Sequence, residues 1–371
     1  MKIKIFYGPD NAFDDFIHTY EYTTMNEVML QVVERDRSIT IRTEESNWEP
    51  PQHYYETIVC YRQGYSSMTS SLINNILLLF RNVECNSLYL QNPPTNIVDT
   101  LQSKYDVEIE YYDYGKLTFD ELTELKRLYE ERIIGQERVL SFLLPVVNVT
   151  RVRQSGKPIV IMFYGPPGVG KTETAKIISE AIYKSDNIKR FQLSMYQTEH
   201  AYKFLFGSEP QEDSLTKELL SRETNVILLD EFDKVHPNLY SAFYELFDEG
   251  RIVDRNYSAR VENAIFICTS NFLTMDEIKS RVGPAIFSRF TECIAFNHLS
   301  DDVKKNILEV KFNECYFRLP EAEQELLSKL SKHAMLEELG EQLKNMTDSR
   351  VIKNTIEKYL SYRILKEQKL L

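Results

Sequence analysis

Eight consecutive residues carry the strongest chemical signal in this chain: Gly165-Pro166-Pro167-Gly168-Val169-Gly170-Lys171-Thr172. An apolar, β-prone run, Pro158–Tyr164, precedes them, and a helix-forming run, Glu173–Tyr183, follows. Strand, glycine loop and helix in that order is the context of a phosphate cradle. Glycines let the backbone curl until several N–H groups face phosphate oxygens, and the helix N-terminus adds partial positive charge. Lys171 then reaches the β and γ phosphates of ATP, and Thr172 is a ligand for Mg²⁺. Glu173, directly after the loop, is grouped with the nucleotide-binding residues. A chance glycine turn would leave both flanking elements unexplained.

Two further apolar runs end in polar residues. Val226–Leu229 leads into Asp230-Glu231. An acidic pair at the carboxyl end of a strand lies where open α/β sheets bind ligands. Asp230 is expected to hold Mg²⁺, mostly through water, and Glu231 to polarise the water that attacks the γ phosphate. Ala264–Cys268 leads into Thr269-Ser270-Asn271, and Asn271 is placed to orient the same water. An acidic pair alone is a common surface feature. Behind this strand and downstream of a phosphate loop it reads as catalytic.

With these residues assembled, the chain resembles the AAA+ ATPases of the Clp and disaggregase type, specifically their second ATPase module. The resemblance runs from about residue 133 to residue 360. Ile134-Gly135-Gln136-Glu137 is similar to the motif that opens that module beside the adenine, which places Ile134 among the nucleotide contacts. The stretches from Leu229 to Pro237 and from Leu246 to Arg251 resemble those flanking the hydrolysis strand. Thr269-Ser270-Asn271 matches the first sensor. Phe287-Ser288-Arg289-Phe290 resembles the arginine-finger segment, and Ser349-Arg350 falls where the second-sensor arginine opens a lid helix. The resemblance implies ATP hydrolysis to ADP and phosphate in a homo-oligomeric ring, usually of six subunits, with Arg289 acting in trans and Arg350 in cis. A guanidinium suits both roles because it stays charged and bridges phosphate oxygens.

The resemblance also has gaps. Threading relatives carry a glycine-flanked tyrosine in a pore loop. The corresponding stretch, 204–214, lacks it and contains Glu209, Glu212 and Asp213. Phe204 and Phe206 are expected in the core rather than gripping a chain. In a six-membered ring the three acids would stand near the axis as a set of like charges. The tripeptide that docks protease-linked relatives is missing, as are a first ATPase module and the usual helical N-terminal domain.

The elements that must position this chemistry divide the chain into residues 1–117, 118–298 and 299–371. The first is an α/β unit with strands expected at Lys2–Tyr7, Ser38–Arg42, Thr57–Arg62, Ser87–Leu90 and Val107–Tyr112. Helical stripes run through Phe13, Phe16, Ile17 and Tyr20, through Leu72–Phe80 behind a serine run, and through Ile97, Leu101 and Tyr105. The unit shows no catalytic motif and is assigned to recognition of an unknown protein partner. Thr118–Arg132 reads as a charged helix connecting the parts. The middle unit is a three-layer α/β core with a phosphate loop. The last is a helical lid whose final helix Thr347 or Asp348 caps.

Composition narrows the function class. The net charge is −12, which disfavours nonspecific nucleic-acid binding, since that depends on Lys and Arg neutralising phosphates. No apolar run approaches the roughly 20 residues that span a bilayer, so a cytoplasmic location without membrane contact is expected. The five cysteines have no metal-ligand spacing and are read as reduced, mostly core residues.

Overall fold

The computed structural model describes residues 1–17, 21–36, 53–81, 83–196, 199–343 and 349–371. Strands β1 (Lys2–Tyr7), β2 (Thr23–Thr24), β3 (His53–Cys60), β4 (Val83–Gln91) and β5 (Val107–Tyr111) form a parallel sheet in the order β2-β3-β4-β1-β5. Because successive side chains alternate faces, Phe6 and Val59 point to one side and Ile3, Ile5 and Ile58 to the other. On the first side lies α1 (Asp10–Ile17), which buries Phe13, Phe16 and Ile17. On the second lie α2 (Met25–Asp36), α3 (Ser70–Asn74) and α4 (Thr95–Gln102).

Several expectations need correction here. The stripe from Leu72 to Phe80 is not one helix: α3 stops at Asn75, whose non-helical backbone leads into a 3₁₀ segment, Ile76–Arg81. The Thr69 side chain, not a serine, caps α3 by accepting from the Leu72 amide. Helix α4 closes before Tyr105, and α2 was not anticipated. The expected strand Ser38–Arg42, Tyr20, and the cap at Thr347 or Asp348 lie outside the described residues.

The second sheet holds β6 (Ile159–Tyr164), β7 (Lys189–Gln192), β8 (Val226–Asp230), β11 (Ile265–Ser270) and β12 (Glu292–Ala295) in the parallel order β12-β6-β11-β8-β7. A small antiparallel pair, β9 (Arg251–Val253) and β10 (Ser258–Arg260), lies beside it. Strands β6, β8 and β11 are buried along nearly their whole length, which is why they read as continuous apolar runs rather than alternating ones. One face is covered by α5 (Phe119–Arg132), α6 (Glu137–Val152) and α7 (Lys171–Tyr183). The other carries α8 (Glu199–Phe206), α9 (Leu215–Leu220), α10 (Tyr244–Glu249) and α11 (Met275–Phe287). Helices α12 (Asp301–Tyr316), α13 (Glu321–Ser328), α14 (Lys332–Leu343) and α15 (Ser349–Glu367) form the helical C-terminal part and extend the core of the first face. The architecture is the expected three-layer α/β core with a helical lid, preceded by a smaller α/β unit.

Helix α5 does more than connect. A capping box between Thr118 and Glu121 fixes its start, and Leu125, Leu128 and Tyr129 are buried in the core of the second unit. Such a cap contributes about 1 kcal/mol. Burying apolar side chains of this size contributes about 1.5–3 kcal/mol each. The packed face therefore outweighs the charged one that dominates the sequence pattern.

The carboxyl ends of the first sheet face the second unit. Asn92, after β4, donates through Nδ2 to the Leu220 carbonyl at 3.4 Å, and the Thr95 amide donates to the Asn256 carbonyl at 2.8 Å. Gln211 Nε2 donates to the Met68 carbonyl at 2.6 Å, and Ser70 Oγ to Glu209 Oε2 at 2.9 Å.

Candidate nucleotide site

The strand order explains the convergence of the site. Strand β11 lies between β6, which runs into the glycine loop, and β8, which ends in Asp230. Residues leaving β11 therefore fall between the loop and the acidic pair. Gly165, Gly168 and Gly170 all take positive φ, at 132°, 74° and 103°. At Gly165 a Cβ would lie 2.1 Å from the Phe296 carbonyl oxygen, so no other residue fits where the loop passes β12. Gly170 sits at the N-cap of α7, the position that aims helix amides at an anion.

Lys171 is buried. Its Nζ donates to the Gly165 carbonyl at 2.6 Å, to the Pro166 carbonyl at 2.8 Å and to Asn271 Oδ1 at 3.2 Å. The amine is thus held at the loop, and Asn271 is in direct contact with it. Thr172 is half-buried and Glu173 is exposed in the first turn of α7. Pro166 and Pro167 stay within the loop, and Val169 is buried in the core. Ile134 is half-buried against the core cluster, while its neighbour Ile133 approaches the loop: its Cδ1 is 3.3 Å from where a Gly170 Cβ would be. Gly135, at φ 80°, leaves no room for a side chain against Val303 of the lid.

Asp230 is buried. Its Oδ2 accepts from Arg190 Nε at 3.0 Å and Nη2 at 2.5 Å, and its Oδ1 accepts from the Thr269 hydroxyl. The same Thr269 oxygen accepts the Glu231 amide at 2.9 Å. Glu231 is in the left-handed region at φ 56°, which is unusual for a residue other than glycine and characteristic of functional turns. One threonine therefore fixes both members of the acidic pair. Thr269 had appeared only as part of a motif, and Arg190 had not been singled out. Strand β7, Lys189-Arg190-Phe191-Gln192, has no apolar run to announce it. Its parallel pairing of Gln192 with Asp230 brings Arg190 to the acid.

The two arginines are elsewhere. Arg289 lies two residues before Thr291, whose amide donates to the Val160 carbonyl near the start of β6, at the far end of the sheet from the loop. Its guanidinium bonds Asp248 through Nε at 2.9 Å and Nη2 at 2.7 Å and stacks on Tyr244 at 4.5 Å. Within one chain it does not join the site. Arg350 is in the first turn of α15, and its side chain lies outside the described residues.

The AAA domain (Cdc48 subfamily) family model matches residues 156–345, just over half of the chain. The chain belongs to the AAA family. With that membership it is an ATPase. This AAA chain is 27% identical over 280 residues to the chaperone protein ClpB of Bacillus anthracis, covering 67% of the chain and 32% of that protein. It is 27% identical over 277 residues to ClpB of Malacoplasma penetrans, covering 67% and 39%. Against ClpB of Clostridium perfringens the identity is 31% over 240 residues, covering 56% and 28%. The AAA chain thus spans about a third of the length of these relatives. Among the described residues, no helix is long and apolar enough to cross a membrane.

Proposed function

We propose that this chain hydrolyses ATP with Mg²⁺ and uses the cycle to change the state of a bound protein partner, as part of a homo-oligomeric ring, most simply a hexamer. The observation that carries the reading is the convergence of Lys171, Asn271 and the Thr269-linked acidic pair at the carboxyl ends of adjoining strands. The residues fit the nucleotide: three left-handed glycines curl the loop into the N-terminus of α7, where helix amides meet an anion, and the buried Asp230 carboxylate already takes a cation, Arg190, as its partner. Lys171 and the loop amides would hold the phosphates, and Thr172 and Asp230 the metal. When bound, Mg²⁺ neutralises developing charge on the phosphates. Glu231, pinned by Thr269, takes up the proton of the attacking water, and Asn271 orients that water. Residues 118–298 serve as the ATPase core and 299–371 as the lid carrying Arg350, with Arg289 completing a neighbour's site. Residues 1–117 recruit the partner, and a cytoplasmic setting accords with this reading.

The test separates grip from turnover. Lys171→Ala is expected to weaken ATP binding about tenfold or more, an effect of removing a phosphate contact. Glu231→Gln should bind ATP as the parent does and lose turnover by about 10²-fold or more, the usual contribution of a general base. Nucleotide titration and steady-state phosphate release read the two effects. Parental turnover in purified Glu231→Gln protein would remove that residue from the role.

A second reading, an ATP-dependent switch or scaffold that threads nothing, is favoured by one observation. Segment 207–214 is tied to residues 68–70 of the same chain instead of hanging free.

A further inference from the structure

Away from the phosphate loop, a cavity of about 310 Å³ opens at the seam between the two units. Tyr7 and Tyr111 stand at the carboxyl ends of β1 and β5, the edge at which parallel α/β sheets receive ligands. Tyr111, Tyr112 and Tyr114 line the cavity, and the first two are exposed large aromatics. From the ATPase side come Arg222 and Arg260, whose guanidinium carbons sit 4.3 Å from the Tyr114 ring centre and 4.8 Å from that of Tyr111. A second cavity of about 420 Å³ adjoins the first through Gly115 and Asn263 and is lined by Lys116, Arg151 and Arg153.

Charge makes this place unusual. The chain carries −12, yet five cations meet around the two cavities against two acids, Asp113 and Glu262. Among the described residues none of the five forms an ion pair with a carboxylate; the ion pairs of the chain lie elsewhere. Arg222 is the extreme case, at 4% exposure. Its Nε donates to Asn225 Oδ1 at 2.9 Å, Nη1 to the Leu219 carbonyl at 2.7 Å and Nη2 to the Arg260 carbonyl at 3.0 Å. All three acceptors are neutral, and a guanidinium has five N–H donors. Burial pushes this group below its usual range. A buried cation without a counter-charge is costly, and an anion in the adjoining cavity offsets that cost.

We propose that the paired cavities are a second ligand site, distinct from the phosphate loop, for a small phosphorylated aromatic molecule of the nucleotide class. The ring lies against Tyr112 at the edge of the Tyr7–Tyr111 stack, whose rings are 5.0 Å apart, and the phosphate is held by Arg260 and Arg222, with Lys116, Arg151 and Arg153 lining the way for a longer phosphate chain. Tyrosine faces accept a planar base without strict sequence readout, and guanidinium forks match phosphate oxygens. The first cavity lies at the lower end of the roughly 300–1,000 Å³ typical of small-ligand sites. Asn225 immediately precedes β8, the strand that ends in Asp230, and Arg222 bonds to Asn225, so the ligand would touch the same strand as the hydrolysis site from its other end.

The experiment is equilibrium dialysis of the full chain carrying Lys171→Ala, which disables the phosphate loop. Each of the four ribonucleoside monophosphates is offered in turn, with ribose 5-phosphate and the unphosphorylated nucleosides as controls. One monophosphate is expected to be retained near one per chain, at least tenfold tighter than either control. Arg260→Gln and Tyr111→Ala, both exposed positions, should each weaken retention tenfold or more while leaving the thermal unfolding midpoint of the unliganded chain in place. Retention of no monophosphate overturns the proposal. So does retention indifferent to both substitutions, which would assign it to residual binding at the phosphate loop.

Discussion

At the residue scale, the site turns on the Thr269 hydroxyl, which donates to Asp230 and accepts from the Glu231 amide. It is 2% exposed, and its Asp230 partner is buried as well. Thr269→Val keeps the shape and removes both bonds. Leaving buried polar groups unpaired costs about 1–3 kcal/mol. Here part of that cost is relieved by movement of Glu231 out of its left-handed conformation. Turnover is expected to fall about tenfold or more, as misplacing a catalytic group by an ångström does. ATP affinity should stay within a few-fold, because the phosphate loop is untouched. Thr269→Ser restores the hydroxyl and should restore turnover. Phosphate release measured beside nucleotide titration gives both numbers, and a Thr269→Val chain as fast as the parent would end this account. The places of Lys171, Asp230 and Glu231, after β6 and at the end of β8, were legible because strand-ending polar residues behind apolar runs have a fixed sequence form. The Arg190–Asp230 contact was not, because it depends on which strand lies beside β8, and that order is set by packing across the whole sheet.

At the scale of elements, the fully buried strands β6, β8 and β11 and the capped helix α5 were the most readable, since each announces itself locally. The break at Asn75, strand β7 and the burial of α5 were hidden, because tertiary contacts decide them. Segment 204–214 shows both sides. Phe204 is buried and stacks on Tyr196 at 4.3 Å, in the core as expected, and Phe206 is half-buried against Tyr202 at 4.6 Å. The acids, however, are tied to their own chain: Glu209 to Ser70, and Asp213 to Lys217 at 3.6 Å. A loop anchored at Met68, Ser70 and, through the Pro210 carbonyl, Tyr257 lacks the freedom needed to follow a nucleotide cycle. A stable fluorescent protein bearing an unstructured tail, presented with ATP, should therefore keep its fluorescence. Loss of fluorescence that vanishes in Phe204→Ala or Phe206→Ala, with ATPase activity intact, would mean that these aromatics leave the core to grip a chain.

At the scale of the whole molecule, the two ends of the second sheet carry different groups. The carboxyl ends carry the phosphate loop and the acidic pair. Arg289 belongs to the opposite end, where Asp248 neutralises it and Tyr244 supports its plane. A half-buried pair of this kind contributes on the order of 1 kcal/mol, so little opposes exchange of Asp248 for a stronger anion on a neighbouring subunit. If Arg289 completes a neighbour's site, activity per chain should rise steeply with protein concentration. Arg289→Ala alone should lower turnover by about 10³-fold, the scale of an arginine finger. Mixing then supplies the decisive arrangement. An Arg289→Ala subunit retains Glu231, and a Glu231→Gln subunit retains Arg289. Wherever the second presents its arginine to the first, one complete site forms, so the mixture should turn over ATP although neither variant does so alone. Phosphate release across mixing ratios, with mass measured by light scattering in the same samples, reads the outcome. Full parental activity in a demonstrably monomeric sample would show that Arg289 stays with Asp248 and that hydrolysis needs no neighbour.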